Sequence, residues 1–230
     1  MKQGTIQLRV IDSLSQIAED EWNALLCPEA GPFLKYAFLN TLEVSGCVGG
    51  NTGWQVAHLL VEDSESRLLG AMPLYLKQHS YGEFVFDWAW AQAYEQNNMP
   101  YYPKALSAIP FTPVRGPRLL VAQTADQSVI QQVLVSGLKT LVDQNALSSA
   151  HILFPESSEL LELEKQGFML RNSVQFHWQN IGYKDFEQFL VDLTMKRRKN
   201  IRRERAAVAK HQISYRHIPG AIATKERSEE

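Results

Sequence analysis

Between residues 77 and 87 the chain gathers side chains that can accept, donate or orient protons: Lys77, His79, Ser80, Glu83 and Asp87. The His79 imidazole could act as a general base, Glu83 could orient it, and the Ser80 hydroxyl could hydrogen-bond a substrate. The same polar groups also suit an ordinary strand-end turn, which packs polar residues whatever its role. Just beyond, Trp88, Trp90, Tyr94, Tyr101 and Tyr102 form the densest aromatic cluster of the sequence. These rings either close the core or line a cleft for a peptide or sugar, with Asp87 and Lys104 at its rim. Glu43 falls at a helix end, where a carboxylate opposes the negative pole of the helix dipole. Such a position calls for a buried partner or a function.

Two groups of cations could hold an anion. Arg115 and Arg118 occupy the turn Val114-Arg115-Gly116-Pro117-Arg118 ahead of a helix, either as anion contacts or as surface and salt-bridged arginines. Lys196 to Arg205 holds seven basic residues and one acid; the whole chain carries −2, so the other 220 residues carry −8. At about 3.6 residues per turn, Arg198, Arg202 and Arg205 share one helix face. Lys196, Lys199 and Arg203 lie on a neighbouring face, and Ile201 and Val208 make a narrow apolar edge. The run is either a solvated face or a polyanion site. An acidic body with one basic segment suggests a local anion site more than a surface coated for nucleic acid. A non-catalytic phosphate- or nucleic-acid-binding module built on 196–205 is therefore one functional class to carry forward. No metal site is expected, because no Cys or His cluster has zinc-ligand spacing.

These groups must be positioned by an ordinary folded body. With 230 residues, 45% hydrophobic and 21% charged, the chain can bury a core without disulfides or metals. No apolar run approaches the roughly 18 residues of a membrane span, and no secretory h-region opens the sequence. With Cys27 and Cys47 as the only cysteines, the expectation is a reduced, cytoplasmic protein. Alternation predicts a strand over Ile6–Val10, and Ser13 and Ser15 can cap the helix after it. A second helix is expected over about Lys35–Val44. Strands at Trp54–Glu62 and Leu68–Lys77 flank a hairpin turn, and Glu83–Asp87 reads as a third strand. A short helix and a long ordered loop cover Trp88–Thr112. A strand over Pro117–Val121 leads through a capping box at Thr124 into a helix striped by Ile130, Leu134, Leu138 and Leu141. His151–Phe154 reads as a strand in a sheet centre, and Glu156–Gln166 as a helix stopped by Gly167. Val174, Phe176 and Trp178 alternate as in a strand; helices at Asp185–Leu193 and Thr194–Lys210 and a strand near Ile213–His217 complete the order. Burial is expected for Ile130, Leu134, Leu138, Ile152, Phe154, Phe176 and Trp178. The fold class is mixed α/β, a central mixed sheet flanked by helices.

Two helices after the first strand, then a meander, then alternating strand and helix, is the order of the GNAT acyltransferase fold. The match sharpens in Glu43-Val-Ser-Gly46, Thr52-Gly-Trp54, His58-Leu59, Pro73-Leu-Tyr-Leu-Lys77 and His79-Ser80-Tyr-Gly-Glu83-Phe-Val-Phe-Asp87. It continues through Trp90-Ala91, Tyr101-Tyr102-Pro103-Lys104, Pro110 to Gly116, Phe176-His177-Trp178 and Arg197 to Arg205. This series resembles the FemAB-like family of predicted N-acyltransferases, relatives of the Fem-type enzymes that add amino acids to peptidoglycan precursors. The resemblance implies a GNAT-like domain over 1–183, a basic helical connector and the start of a second half over 184–219, and a polar tail over 220–230. It implies acyl-CoA or aminoacyl-tRNA as donor, a small-molecule or peptide amine as acceptor, and tRNA as a possible partner. His79 and Glu83 become the candidate catalytic pair, with Glu43, Lys77, Ser80, Asp87, Tyr101, Tyr102 and Lys104 as candidate substrate contacts. Arg115, Arg118, Arg198, Arg202 and Arg205 become the candidate anion contacts. Pro117 removes an amide from the turn that would cradle the donor's phosphates, and a second glycine is absent there. Fem-type proteins have two GNAT-like halves, so this chain is expected to be a first half without activity of its own.

Overall fold

One short strand buried on both faces sets the architecture. In β3 (His58–Glu62) Leu59 and Val61 point to one side and Leu60 to the other, all three fully buried. The computed structural model describes residues 6–27, 30–85, 87–211 and 216–219, in two compact units, 1–171 and 172–230. In the first unit β3 pairs with β1 (Gln7–Ile11) and β4 (Leu68–Met72), and β7 (Leu120–Val121) closes a sheet of order β1-β3-β4-β7, antiparallel throughout. The second sheet runs β2 (Trp54–Val56), β5 (Tyr75–Lys77), β6 (Lys104–Ser107), β8 (Ala150–Ile152), with β6 and β8 parallel.

The two long strands expected at 54–62 and 68–77 are thus each broken in the middle, and their halves join different sheets. The break sits at Ala57 and at Pro73-Leu74. Proline has no N–H for a ladder. The amide of Leu74 donates instead to the buried His58 Nδ1 at 3.0 Å, and Ala57 N donates to Leu74 O at 3.0 Å.

Helices α1 (Glu19–Asn23) and α2 (Tyr36–Val44) cover one face of the first sheet, where Ile11, Leu14, Trp22, Leu34 and Leu39 meet Leu60, Ala71 and Leu120. Helix α4 (Gln127–Gln144) covers the other face with Ile130, Leu134, Leu138 and Leu141 against Leu59, Val61 and Met72. Gly70 permits this approach, since a Cβ there would lie 2.4 Å from Ile130 Cγ2. Helices α3 (Trp88–Gln96) and α5 (Ser157–Lys165) complete the unit. In the second unit α6 (Phe186–Val191) precedes α7 (Met195–Lys210).

The mixed α/β class and the α4 stripe are as expected. Several local readings are corrected. The cap of α4 is Asp126, which accepts from Val129 N, and not Thr124; aspartate is as good an N-cap as threonine. No strand forms over the described residues of 83–87: Phe84 has φ +57° and is exposed, and Glu83 and Asp87 are both buried. The short β8 is an edge strand, so Ile152 and Phe154 are only partly buried. Phe176 is 96% and Trp178 65% exposed, and no strand forms over 174–178. Alternation buries one face only when a neighbour covers it, and no described strand pairs with this segment. The strand expected near 213–217 falls largely outside the described residues.

Candidate active site

The register of the second sheet places Trp54 opposite Lys77 and Lys77 opposite Lys104, a row across three strands. All three side chains are fully buried. Two ammonium groups facing each other inside a protein are unfavourable unless anions answer them. The loop between β5 and α3 supplies these. Lys104 Nζ donates to Asp87 Oδ2 at 2.6 Å, to Glu83 Oε2 at 2.9 Å and to Ser80 Oγ at 2.9 Å, which satisfies all three of its protons. Ser80 Oγ donates to Asp87 Oδ2 at 2.8 Å and lies 2.7 Å from Tyr102 Oη, which therefore donates to it. The Tyr101 hydroxyl donates to Asp87 Oδ2 at 2.8 Å. The sequence thus keeps Ser80, Glu83 and Asp87 on one irregular loop that folds onto a single lysine of β6.

The two carboxylates are held differently. Burial acts to raise the Asp87 pKa, but the hydrogen bonds from Lys104, Ser80 and Tyr101 prevail and hold it below the usual carboxylate range. Burial pushes Glu83 up, and Lys104 offsets this only in part. Burial also brings Lys77 down to about 7, helped by the Lys104 charge and opposed by that of Glu83. Lys77 Nζ has one carbonyl, Tyr81 O at 3.2 Å, and the Trp54 ring 3.6 Å away. Titratable groups driven apart in one small space are the mark of acid–base chemistry. One oxygen of each acid, Glu83 Oε1 and Asp87 Oδ1, is buried with no hydrogen-bond partner. Neighbouring His151 is lowered to about 4 by burial and by Lys104, so it is neutral at physiological pH.

Of the residues singled out in the sequence, Lys77, Ser80, Glu83, Asp87, Tyr101, Tyr102 and Lys104 come together here. His79 does not join them. Tyr81 N donates to its Nδ1 at 3.3 Å, so Nε2 carries the proton and gives it to Thr52 O at 3.1 Å. Glu83 is held by Lys104 and not by His79. His79 instead lines a separate cleft of about 370 Å³ with Gly50, Asn51, Gly53, Gln55 and Gln78. Glu43 also sits elsewhere, accepting from Leu14 N at 2.9 Å and Ser13 Oγ at 3.0 Å, with His58 Nε2 at 3.5 Å. His58 Nδ1 lies 3.0 Å from Leu74 N and 3.1 Å from Leu74 O, and its buried Nε2 faces Glu43 without a hydrogen bond. Trp88 and Trp90 stand exposed on α3, which buries no residue, while Tyr94 packs edge-on against Tyr101 at 5.1 Å. Composition alone did not point to Trp54 or His58 as participants; their register across the sheets does.

The arginine candidates have partners within the protein. Arg118 is fully buried, and its guanidinium donates to the carbonyls of Val114, Gly116, Pro117 and Leu153 at 2.8–3.1 Å. Burial lowers its pKa to about 10. The amides of Arg118 and Leu119 donate to Glu159 Oε1 at 2.8 and 2.6 Å. A carboxylate of the chain itself therefore fills this turn, Pro117 offers no amide, and the turn does not fit a donor's diphosphate. Arg115 is exposed. On α7, Arg198 donates to the carbonyls of Leu190, Val191 and Leu193, capping α6; Arg202 pairs with Glu187 at 2.6 Å; Arg205 lies 4.4 Å over the Phe186 ring. The Arg198/Arg202/Arg205 face thus holds α6. Lys196, Lys199, Arg203 and Lys210 fall within about 60° of one another on the neighbouring, exposed face. Among the described residues no group of three His, Cys, Asp or Glu could hold a metal, and no helix is long and apolar enough to cross a membrane.

Fold and cluster together define a mixed α/β protein with a buried lysine–carboxylate centre. The chain belongs to the FemAB-like family, described as peptidoglycan biosynthesis/recognition, whose profile matches residues 13–230. Among solved structures it is similar to an acetyltransferase of Trypanosoma brucei, at 13% identity over 76% of this chain and 100% of that one, TM-score 0.43. It is also similar to the ribosomal-protein-alanine N-acetyltransferase of Brucella melitensis biovar Abortus 2308, at 11% identity over 76% and 99%, TM-score 0.46. A third is an aminoglycoside 6′-N-acetyltransferase from Acinetobacter baumannii, at 14% identity over 77% and 100%, TM-score 0.43. Comparison with curated protein sequences gave no match.

Proposed function

We propose that the protein is an N-acyltransferase whose acceptor, a primary amine, docks as an ammonium between Glu83 and Asp87. The observation that carries this reading is the pair of buried, unpartnered oxygens, Glu83 Oε1 and Asp87 Oδ1, on two acids that share one lysine. Buried polar atoms are nearly always paired, so two vacant acceptors on one cluster suit a ligand that brings donors. An ammonium brings three. Lys104 fixes both acids and lets Asp87 stay ionised beside Glu83. Tyr101 and Tyr102 lock Asp87 and Ser80 in place. Glu83, whose pKa burial raises, takes the proton that the amine must lose before it attacks an acyl carbonyl.

The donor is an activated acyl group on a carrier, acyl-CoA or aminoacyl-tRNA. Its phosphates find no free amides in the 114–119 turn, so the diphosphate rests elsewhere. In a test with acetyl-CoA and a panel of peptide and amino-acid amines, thiol release should require both acids. Glu83→Gln should lower the rate about 10²–10⁴-fold, the usual worth of a positioned base. Asp87→Asn should raise KM for the amine. Transfer that survives both changes would dismiss the reading. Bulk charged tRNA, with the amino acid labelled, serves as the second donor arm.

The free cationic face of α7 favours a second reading, a phosphate- or nucleic-acid-binding surface formed by Lys196, Lys199, Arg203 and Lys210. Salt-steep binding that survives loss of Glu83 would separate it from transfer at the buried cluster.

A further inference from the structure

We propose that Trp54 and Lys77 together clamp the Tyr81 carbonyl and thereby set where Glu83 presents its vacant oxygen. The proposal rests on the acceptor reading of the site and adds two positioning residues to it. Both act through the backbone turn that carries Glu83, and neither contacts the acid itself.

The clamp is a product of sheet register. Trp54 on β2 and Lys77 on β5 are Cα partners, and both side chains are buried. Lys77 Nζ lies 3.6 Å from the centroid of the indole, a favourable cation–π contact. From the two strands, Lys77 Nζ and Trp54 Nε1 donate to one acceptor, Tyr81 O, each at 3.2 Å. A backbone carbonyl oxygen has two lone pairs, so this one is fully used. The next carbonyl along, Gly82 O, accepts from Phe111 N at 3.2 Å.

The turn has few other anchors. Of the described residues 81–85 only Glu83 is buried, while Tyr81 and Phe84 are 67% and 59% exposed. At Gly82, φ is +80°, and a Cβ there would fall 2.6 Å from Phe111 Cδ1 and 3.3 Å from Trp54 Cζ2. Contacts to Trp54, Lys77 and Phe111 therefore set how low the turn sits. Lys104 grips Glu83 by Oε2 alone, and Oε1 is left without a partner. One bond at the end of a flexible side chain does not direct the other oxygen. The direction of Oε1 follows from where the backbone of residue 83 stands, two residues beyond the clamped carbonyl. That placement matters, because a catalytic group misplaced by about 1 Å costs up to about 10²-fold in rate.

The test compares Trp54→Phe, which keeps an aromatic ring but removes the indole donor, with Lys77→Met, which removes the ammonium and keeps the stem volume. In each variant the Phe111 amide should exchange with solvent about three- to tenfold faster, the worth of one lost hydrogen bond. The amides of Leu134 and Leu138 in α4 should not exchange faster. The Trp54 Nε1–H resonance, assigned by its loss in Trp54→Phe, should exchange faster in Lys77→Met. In Trp54→Phe, where no charge changes, the Glu83 carboxyl should titrate nearer an ordinary glutamate, because the acid leaves the burial that raises it. With acetyl-CoA and the amine panel, both variants should lower kcat about tenfold and leave KM for acetyl-CoA unchanged. Unchanged Phe111 exchange in both variants, or an unmoved Glu83 titration in Trp54→Phe, would overturn the proposal. So would equal acceleration of the α4 amides, which marks general loosening. If Trp54→Phe does not fold, Lys77→Met decides through Phe111 exchange, indole exchange and kcat. If the parent transfers to no amine, the acceptor reading fails, while the exchange and titration arms still decide whether the clamp places Glu83.

Discussion

Replacing Lys104 with methionine should cost the protein much of its stability, and the structure says how much and at what pH. Methionine matches the lysine stem in volume, so no large cavity opens. What disappears is the cation on which Glu83 and Asp87 both lie, at 2.9 and 2.6 Å. Breaking a buried ion pair by removing one partner costs about 3–5 kcal/mol, because the other charge stays buried. Glu83 can escape by binding a proton, since burial already favours its neutral form. Asp87 keeps two neutral donors, Ser80 and Tyr101. The expected loss is therefore near the lower end, about 3 kcal/mol out of a typical total of 5–15 kcal/mol. Its pH dependence follows from the sign of the carboxylate shifts. Without Lys104, burial keeps the folded Glu83 pKa above its unfolded one, whereas in the parent Lys104 helps to hold Asp87 ionised to below its unfolded value. The penalty is therefore smallest once both acids are protonated, below roughly pH 4, and grows as pH rises through the two carboxylates. Urea unfolding at about pH 3 and pH 7 reads both points, and the triple variant Lys104→Met/Glu83→Gln/Asp87→Asn should recover most of the loss. A single variant within 1 kcal/mol of the parent at pH 7, or a defect of equal size at both pH values, would refute the reasoning.

Lys77→Met should raise stability at pH 7 and abolish a rise in stability between pH 7 and 10. The unfolded chain holds that proton up to about 10.4, whereas the folded protein releases it at about 7, so urea unfolding of the parent must show stability growing across that window. Glu159→Ala strips the acceptor from the amides of Arg118, Leu119 and Glu156; thermal unfolding should show a loss of about 2–3 kcal/mol, the cost of buried donors left unmet. Gly53→Ala places a Cβ 2.2 Å from His79 Nε2 at φ +74°, so the His79 ring resonances should move and stability should fall by about 1–3 kcal/mol; unchanged spectra would contradict the packing. Lys199→Glu with Arg203→Glu should weaken polyanion retention in a filter-binding salt series while helicity stays intact, whereas Arg202→Glu, which breaks the Glu187 contact, should lower helicity first.

The fold was legible where one element carries its own signal. The α4 stripe of Ile130, Leu134, Leu138 and Leu141 repeats at helical period over eighteen residues, and tertiary packing had only to accept it. The breaks at Ala57 and Pro73 were not legible. Residues 54–62 and 68–77 alternate through the break, and what divides them is a histidine ring taking the place of a backbone partner across the sheet. The 174–178 segment shows the opposite failure. Val174, Phe176 and Trp178 alternate as a strand should, yet a strand exists only where another chain segment completes its ladder.

The candidate site was visible as a list of residues and hidden as an arrangement. Lys77, Ser80, Glu83, Asp87, Tyr101, Tyr102 and Lys104 stand out by type, but the pairing of Glu83 with His79 looked natural because the two are four residues apart. The structure gives Glu83 to Lys104, twenty-one residues away, because β5 and β6 put two lysines face to face and the loop must answer one of them. The basic helix repeats the lesson. Helical period places Arg198, Arg202 and Arg205 on one face, which is correct, but period cannot say what that face meets. It meets α6, where three backbone carbonyls at the helix end, an acid and an aromatic ring take up the three arginines. A run of like charges can therefore be built inward on one side and leave its free cations on the other. In both places sequence fixes which side chains are close along an element, whereas function depends on which groups remain unpaired once neighbouring elements have taken their share. At the buried cluster those are Glu83 Oε1, Asp87 Oδ1 and the half-served amine of Lys77, and any chemistry this centre performs has to pass through them.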